Sequence, residues 1–222
     1  MNEDFFLKTR MFHGMTKEDL ARAFSCLNYY QRSYSKLERI LTAGQDIRFM
    51  GMVLKGSVTV ERNDRWGNRT ILTEVDPGEC FGEMYAMTPG IILPVDVIAA
   101  KDCTIAFFEV SQLLEHDCSA HEITGKLTEN LLRIALHKNL ILSNRSFHTA
   151  PKTIRGKVMA YLNTMSLQQR SLDVTIPFNR QQLADYLNID RTALSKELGK
   201  MKEDGLIDFW KSHFRLLADA ED

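Results

Sequence analysis

Residues 178–198 constrain the fold most, because they carry the pattern of two short helices that cross at close range. The apolar positions of the pattern are leucines: Leu183, Leu187, Leu194 and Leu198. Asn188 lies between the two helices, where a left-handed residue is needed and Asn is tolerated. Asp190 follows as an N-cap for the second helix. The segment therefore predicts a helix-turn-helix.

The second predicted helix places polar side chains on its outer face, namely Arg191, Thr192, Ser195 and Lys196. A helix that reads the major groove needs this arrangement, with donors toward base edges and apolar residues toward the protein. We also expect DNA contacts from a further set: Asn179, Arg180, Gln181, Lys200 and Lys211. Arg191 is assigned to base readout, whereas Arg180 and Gln181, at the start of the preceding helix, are assigned to the DNA backbone.

A hairpin is predicted after these helices, with its turn at Lys211-Ser212-His213, and it has the position of a wing. Residues 150–217 carry eleven Lys and Arg against seven Asp and Glu, although the whole chain has a net charge of −1. A local basic excess suits a polyanion such as DNA. An ordinary helical hairpin in a core is the alternative, and the wing, the capped turn and the polar outer face argue against it.

The region from about Tyr29 to Val110 has a different texture. Short β-branched and aromatic runs alternate with Gly and Pro, as in Val58-Thr59-Val60 and Val97-Ile98-Ala99. Strands this short and regularly spaced are typical of an antiparallel sandwich or barrel. Asp64 to Asn68 is predicted to be a hairpin loop. The residues before Tyr29 are predicted to form short helices.

A long helix is predicted from about His121 to Arg145. Its apolar residues recur at steps of three and four, which is close to a coiled-coil seam. We interpret this stripe as the seam of a homodimer, carried by Leu127, Leu131, Ile134 and Ile141. The alternative is that the helix packs against its own β-domain.

Several functional classes are disfavoured by the sequence. The longest apolar runs are far shorter than the ~20 residues that span a bilayer, and the acidic start Met1-Asn2-Glu3-Asp4 is unlike a signal peptide, so we expect a cytoplasmic protein without a membrane partner. A metal-dependent β-barrel enzyme would need histidines between Gln31 and Val110, and there are none. No nucleophile elbow, P-loop or dinucleotide fingerprint is found, and we expect no catalysis.

With these features the chain resembles the Crp/Fnr family of bacterial transcription regulators over nearly its whole length. The matching stretches in the β-domain are 54–58, 76–83 and 100–103, and the long helix and winged helix follow in the family order. The resemblance implies an α+β fold with an N-terminal antiparallel, cyclic-nucleotide-binding-like β-roll. It also implies a homodimer, a pseudo-palindromic double-stranded DNA site and RNA polymerase as a further partner. We expect residues 1–118 to form the sensor domain, 119–147 the dimerisation helix and 148–222 the DNA-binding domain.

The β-roll departs from the family at its ligand pocket. Members that bind cyclic AMP place an arginine after the Gly-Glu pair, whereas this chain has Ile92-Leu93-Pro94-Val95-Asp96. A buried phosphate without a cation is unfavourable by several kcal/mol. We therefore expect an unidentified effector other than cyclic AMP, in a pocket formed by Phe81, Gly82, Glu83, Met84, Leu93 and Val95.

Other sensors are left open at this point. His116, Cys118 and His121 are spaced so that they could bind a metal or haem, but the favoured interpretation is a polar, exposed helix start, and no metal is assigned. The four cysteines are spread widely, without a Cys-x-x-Cys pair, and are expected to be reduced. The alternatives to an effector-controlled regulator are a haem, metal or redox sensor of the same architecture, or a ligand-binding module without DNA activity.

Overall fold

The computed structural model describes residues 3–63, 69–113 and 121–217. The chain divides into two compact units, Met1–Leu136 and His137–Asp222. The division into residues 1–118, 119–147 and 148–222 stays a prediction. The hairpin loop expected at residues 64–68 lies outside the described residues.

The first unit combines short helices with eight strands. Its helices are α1 (Glu3–Leu7), α2 (Lys17–Cys26) and α3 (Glu83–Ala86), with a short 3-10 helix at Val110–Leu113. Its strands are β1 (Tyr30–Tyr34), β2 (Arg39–Leu41), β3 (Phe49–Lys55), β4 (Val58–Asn63), β5 (Arg69–Val75), β6 (Cys80–Phe81), β7 (Asp96–Ala99) and β8 (Cys103–Glu109). α4 (His121–Thr149) begins in this unit and extends into the second.

The eight strands form two four-stranded sheets, in the orders β1-β8-β3-β6 and β2-β7-β4-β5, and every pairing is antiparallel. The central strands β3 and β8 of the first sheet are buried on both faces. Successive side chains of a strand point to opposite sides, so each of these strands contributes to two cores. In β8, Ile105 and Phe107 join the core between the sheets, whereas Ala106 and Phe108 join a second core with the N-terminal helices. The predicted antiparallel β-roll is confirmed.

The second core also receives one face of α4, and this corrects the predicted dimer seam. Leu127, Leu131 and Ile134 are at most 7% exposed and pack with Phe12, Phe108 and their neighbours. These three side chains stabilise the β-domain of their own chain and are not available to a second protomer. Ile141, the fourth predicted seam residue, is 51% exposed. The physical reason for the error is that a stripe facing a sheet and a stripe facing a helix share the same period.

A different apolar stripe of α4 faces solvent. Leu132, Leu136, Leu140 and Phe147 each leave more than half of their surface exposed. They follow one another at steps of four, four and seven, so they lie on one side of the helix. Buried Asn130, which donates hydrogen bonds to the carbonyl oxygens of Met11 and His13, marks the opposite side.

The second unit is a winged helix-turn-helix, as predicted. Its helices are the end of α4, α5 (Ile154–Gln169), α6 (Arg180–Leu187) and α7 (Arg191–Glu203), and its strands are β9 (Asp173–Thr175), β10 (Ile207–Trp210) and β11 (His213–Leu216). The strands form one antiparallel sheet in the order β10-β11-β9. α4 starts and ends two residues later than the predicted span 119–147.

Among the described residues, no helix combines the length and the apolar character that a bilayer crossing requires.

Candidate DNA interface and effector pocket

The contact between α6 and α7 places the candidate DNA-reading helix. Leu183 and Leu187 of α6 are fully buried with Leu194 and Leu198 of α7. Asn188 ends α6 in the left-handed conformation, with φ 55°. Asp190 then caps α7, because its carboxylate accepts a hydrogen bond from the Ala193 N–H at 2.9 Å. The turn and the cap have the geometry that the sequence predicts.

The outer face of α7 is polar, and its positive charges are not neutralised by nearby carboxylates within the described residues. Arg191, Thr192, Ser195 and Lys196 are exposed, and Lys200 continues the same helix toward its end. In the part of the chain that the structure describes, Arg191, Lys196 and Lys200 form no ion pair. Lys202, by contrast, contacts Asp208 at 2.6 Å. The helix therefore presents free donors and positive charge on one side only.

Arg155 holds the recognition helix α7 in place, a role that the sequence analysis missed. The Arg155 guanidinium contacts Glu197 at 2.9 Å and Asp204 at 2.6 Å, so it joins the start of α5 to the middle and the end of α7. These hydrogen bonds raise the pKa of Arg155, and the residue stays charged. No local sequence signal marks this contact, because the partners are 42 and 49 residues apart.

Arg180 has a structural role beside the predicted contact with the DNA backbone. Its guanidinium carbon lies 5.1 Å from the ring centre of Phe209 and 5.6 Å from that of Phe214, and its Nη2 donates to the Lys211 carbonyl oxygen at 3.5 Å. Burial lowers the pKa of Arg180 from its ordinary value. A guanidinium stacked on two wing aromatics joins α6 to the wing. The assignment of Arg180 to DNA stays a prediction.

The other two predicted DNA-contacting residues at the start of α6 also form hydrogen bonds within the chain. Asn179 is the N-cap of α6, and its side chain accepts a hydrogen bond from the Gln182 N–H at 2.9 Å. Gln181 is exposed and donates to the Asp185 carboxylate at 2.8 Å. Asn179 therefore has a structural function in the free chain, whereas Gln181 could exchange an exposed partner for DNA.

The wing is a tight hairpin in which Trp210 pairs with His213 across Lys211 and Ser212. Lys211 adopts a left-handed conformation, with φ 54°, and is exposed at the tip beside the Trp210 ring. Arg215 of β11 contacts Asp173 of β9 at 2.6 Å and fixes the base of the wing to the sheet. Lys211 is thus placed as a cation on a rigid tip.

The residues of the predicted effector pocket differ in exposure. Phe81 and Leu93 are 3% and 1% exposed and are core residues, whereas Met84 is 60% exposed and Val95 is half-buried. The Phe81 ring fills the space beside Gly51, where even an added Cβ would overlap it. That these residues line one pocket stays a prediction. Gly82, with φ 76°, starts α3, and Glu83 after it is buried.

Asp96 is a buried carboxylate at the segment where cyclic AMP binders carry their cation. Its oxygens accept hydrogen bonds from the Ala43 N–H at 2.9 Å and the Asn63 amide at 2.8 Å, and the Arg39 Nε lies at 3.8 Å. Burial alone would raise the pKa of Asp96, but the hydrogen bonds and Arg39 outweigh it and the pKa is lowered. Asp96 therefore remains negative.

A second buried carboxyl group, that of Glu61, lies beside Asp96. Glu61 is the cross-strand partner of Asp96, is fully buried and accepts a hydrogen bond from the Thr59 hydroxyl. The sequence alone indicates Asp96 but not Glu61. Strand alternation alone did not reveal it, because a β-bulge lies between Val60 and Glu61.

The residues proposed for alternative sensors are only partly described. His116 and Cys118 lie outside the described residues, as does the side chain of His121. Cys80 and Cys103 are buried and are not disulfide-bonded, whereas Cys26 is disulfide-bonded, which corrects the expectation that all cysteines are reduced. Residues 3–63, 69–113 and 122–217 contain no cluster of three or more His, Cys, Asp or Glu that could hold a metal ion.

Comparison with known proteins assigns both units. Residues 31–116 match the family described as cyclic nucleotide-binding domain, and residues 156–220 match the Crp-like helix-turn-helix domain. The cyclic AMP receptor protein of Thermus thermophilus is 26% identical over 202 residues, which cover 89% of this chain and 87% of the relative. The transcriptional activator protein FnrL of Cereibacter sphaeroides is 22% identical over 187 residues, which cover 80% and 72%. The solved structure of OCPA-complexed CprK has a TM-score of 0.56 at 12% identity and covers 90% of this chain and 89% of its own, so it shows a common fold.

Proposed function

This chain belongs to the Crp/Fnr family of transcription regulators, and from that premise we propose that it is a homodimer that reads a split DNA site under the control of an effector other than cyclic AMP. The family consists of regulators rather than enzymes, and its Crp-like members bind DNA as dimers. The sensor is the β-roll and the reader is the winged helix-turn-helix. The site of action is the cytoplasm, with RNA polymerase as the protein partner.

The observation that carries the DNA-reading role is the outer face of α7. Arg191 begins the helix directly after the Asp190 cap, where the N-terminal turn of a recognition helix meets base edges. Its planar guanidinium matches the O6 and N7 acceptors of guanine. Thr192 and Ser195 are exposed beside it and can reach bases or phosphates.

Phosphate contacts are assigned to the lysines. Lys196 lies one turn after Thr192 and suits a base or a phosphate, whereas Lys200 and Lys211 suit phosphates because a flexible ammonium is a point charge. None of the three is held in an ion pair within the described residues. Neutralising phosphates would make the affinity for DNA strongly salt-dependent.

The dimer is proposed to form through the exposed stripe of α4, defined by Leu132, Leu136, Leu140 and Phe147. Two such stripes would bury their leucines against each other in the manner of a coiled coil. An unpartnered apolar stripe of this length on a soluble helix is otherwise unfavourable, since each buried leucine contributes about 1.5–3 kcal/mol. A two-fold dimer presents two α7 helices to two half-sites about one helical turn apart.

The effector is proposed to lack a phosphate. Asp96 is a buried, ionised carboxylate beside the Glu61 carboxyl group, and residues 92–96 contain no cation. An anionic phosphate would meet repulsion there in a region of low dielectric constant. Neutral or cationic molecules do not meet this obstacle.

The test is selection of binding sites from randomised double-stranded DNA with the full chain, followed by fluorescence anisotropy on the enriched sequences. The expected result is enrichment of two inverted half-sites whose centres are about 10 base pairs apart, with an affinity that falls steeply as salt is raised. The absence of any enriched sequence at low salt would contradict the DNA-reading role. Enrichment of a single half-site would contradict the dimer.

A further inference from the structure

The last turn of α4 is fastened to the helix-turn-helix by two polar side chains. The His148 ring is 2% exposed, with its Nδ1 2.9 Å from the Tyr186 hydroxyl of α6 and its Nε2 2.9 Å from the Thr164 hydroxyl of α5. The Arg145 guanidinium donates to the carbonyl oxygens of Tyr186 and Asp185, at the end of α6. We call Arg145, His148, Thr164 and Tyr186 the polar latch.

The hydrogen bonds of the latch determine which nitrogen of His148 carries the proton. The Thr164 hydroxyl donates its only proton to the Ala160 carbonyl oxygen at 3.0 Å, so it accepts from the His148 Nε2–H. The His148 Nδ1 is then the bare nitrogen of a neutral ring, and it accepts from the Tyr186 hydroxyl. Burial raises the pKa of Tyr186, which keeps this donor protonated.

A second proton on His148 would disrupt this arrangement. The Nδ1 would become a donor and would face the Tyr186 hydroxyl donor, which would have to rotate away from it. The charge would be buried against the rings of Tyr161 and Tyr186. Arg145, one turn earlier on α4, already places a positive charge 5.9 Å from the centre of the Tyr186 ring.

No carboxylate faces the ring to offset the charge, as far as the described residues extend. The titratable or charged groups around His148 are Arg145 from α4, Tyr161 from α5, and Tyr186 and Asp185 from α6. The Asp185 carboxylate is exposed and accepts from Gln181 instead. Burial lowers the pKa of His148 below its ordinary 6.5, so the neutral latch is complete above that pH and is lost as the pH falls further.

We propose that the polar latch is a proton-sensitive switch, in which neutral His148 holds α6 against the end of α4 and protonation of His148 releases α6 and weakens DNA binding. α6 packs directly on α7, so movement of α6 disturbs the position of the recognition helix. The proposal rests on the DNA-reading role given above. It makes His148 a positioning residue for DNA binding, since the ring itself touches no DNA.

The first test measures the affinity of the full chain for its selected DNA from about pH 7.5 to about pH 5.5, at constant salt. The wild type is expected to bind about three- to tenfold more weakly at the low end, the range that loss of one or two hydrogen bonds produces. His148→Gln should flatten this profile, because an amide supplies one donor and one acceptor without titrating. Tyr186→Phe should also flatten it.

The matched control is His13→Gln, which removes an exposed histidine of the first unit, outside the winged domain. This variant should keep the pH profile of the wild type. A wild-type profile that persists in His148→Gln, or that disappears in His13→Gln, would overturn the switch.

A second measurement separates the switch from the DNA-reading role. Nuclear magnetic resonance of the full chain without DNA follows the His148 ring and the exchange rates of the α6 amide protons through the same titration. The switch predicts that α6 protection falls as His148 gains its proton, even if no DNA sequence is ever bound. Unchanged α6 protection on protonation of His148 would overturn the switch and leave the DNA-reading role intact.

Discussion

The two units carry family motifs of similar quality, but the motifs have different structural consequences. In the winged domain the motif leaves Arg191 and Lys196 outside, uncompensated and on one helix face. In the β-roll, Phe81 of the matching stretch and Leu93 of the segment that departs from the family are part of the packed interior, and Asp96 is already hydrogen-bonded. A family motif whose side chains are exposed predicts contacts with a partner. A motif whose side chains are buried predicts core packing before it predicts ligand binding.

The same contrast divides α4. One stripe, with Leu127, Leu131 and Ile134, is buried in the first unit, and the other, with Leu136 and Leu140, is exposed. Both stripes have a helical period, so periodicity does not distinguish them. Only the position of the sheet under the helix does.

The largest expected effect tests this division of α4. Leu136→Glu combined with Leu140→Glu should convert the dimer into folded monomers in analytical ultracentrifugation, because two charges would be buried at each side of the interface. Loss of the dimer removes simultaneous binding to two half-sites, so the affinity for a full site should fall by at least two orders of magnitude.

Leu131→Ala is the matched control on the buried stripe. It should lower the free energy of unfolding by about 2–5 kcal/mol in denaturant titrations without changing the mass of the assembly. A monomeric Leu131→Ala, or a dimeric double glutamate variant, would reverse the roles of the two stripes.

The sequence predicted the fold and the reading helix because both depend on local rules. Leucine spacing, the Asn188 turn and the Asp190 cap each act within a few residues and are visible without tertiary structure. The dimer stripe, the Arg155 contacts and the role of Arg180 depend on pairings of distant elements. The packing of Phe81 is a further example, since its ring fills the space beside Gly51 on the neighbouring strand.

An intermediate effect is expected for Arg180, which separates a structural cation from a DNA-binding one. Arg180→Ala should lower the free energy of unfolding by about 1–2 kcal/mol, because contacts with Phe209 and Phe214 are lost. The salt dependence of DNA binding should keep its slope. Lys152→Ala, at an exposed position, should change the stability by less than about 0.5 kcal/mol. If the DNA affinity of Arg180→Ala depends less steeply on salt than that of the wild type, Arg180 contacts a phosphate, as the sequence suggested.

The smallest expected effect concerns the β-roll. Calorimetry with cyclic AMP at millimolar concentration should give no saturable heat, because the pocket segment lacks a cation and Asp96 is ionised. Micromolar affinity for cyclic AMP would contradict this account of the effector site. It would mean that the family motif predicts the ligand of the β-roll, as it predicts the DNA contacts of the winged domain.

The most direct test of the central claim compares the base preferences of the wild type, Arg191→Ala and Lys200→Ala in selections from randomised DNA. Arg191→Ala should lose preference at one base pair in each half-site, at a cost of about 1–3 kcal/mol for the preferred base. Lys200→Ala, on the same helix, should lower the affinity for all DNA sequences alike. It should also reduce the slope of log affinity against log salt concentration by about one unit per half-site. If Arg191→Ala keeps the full base preference of the wild type, the exposed face of α7 does not read DNA in the way proposed.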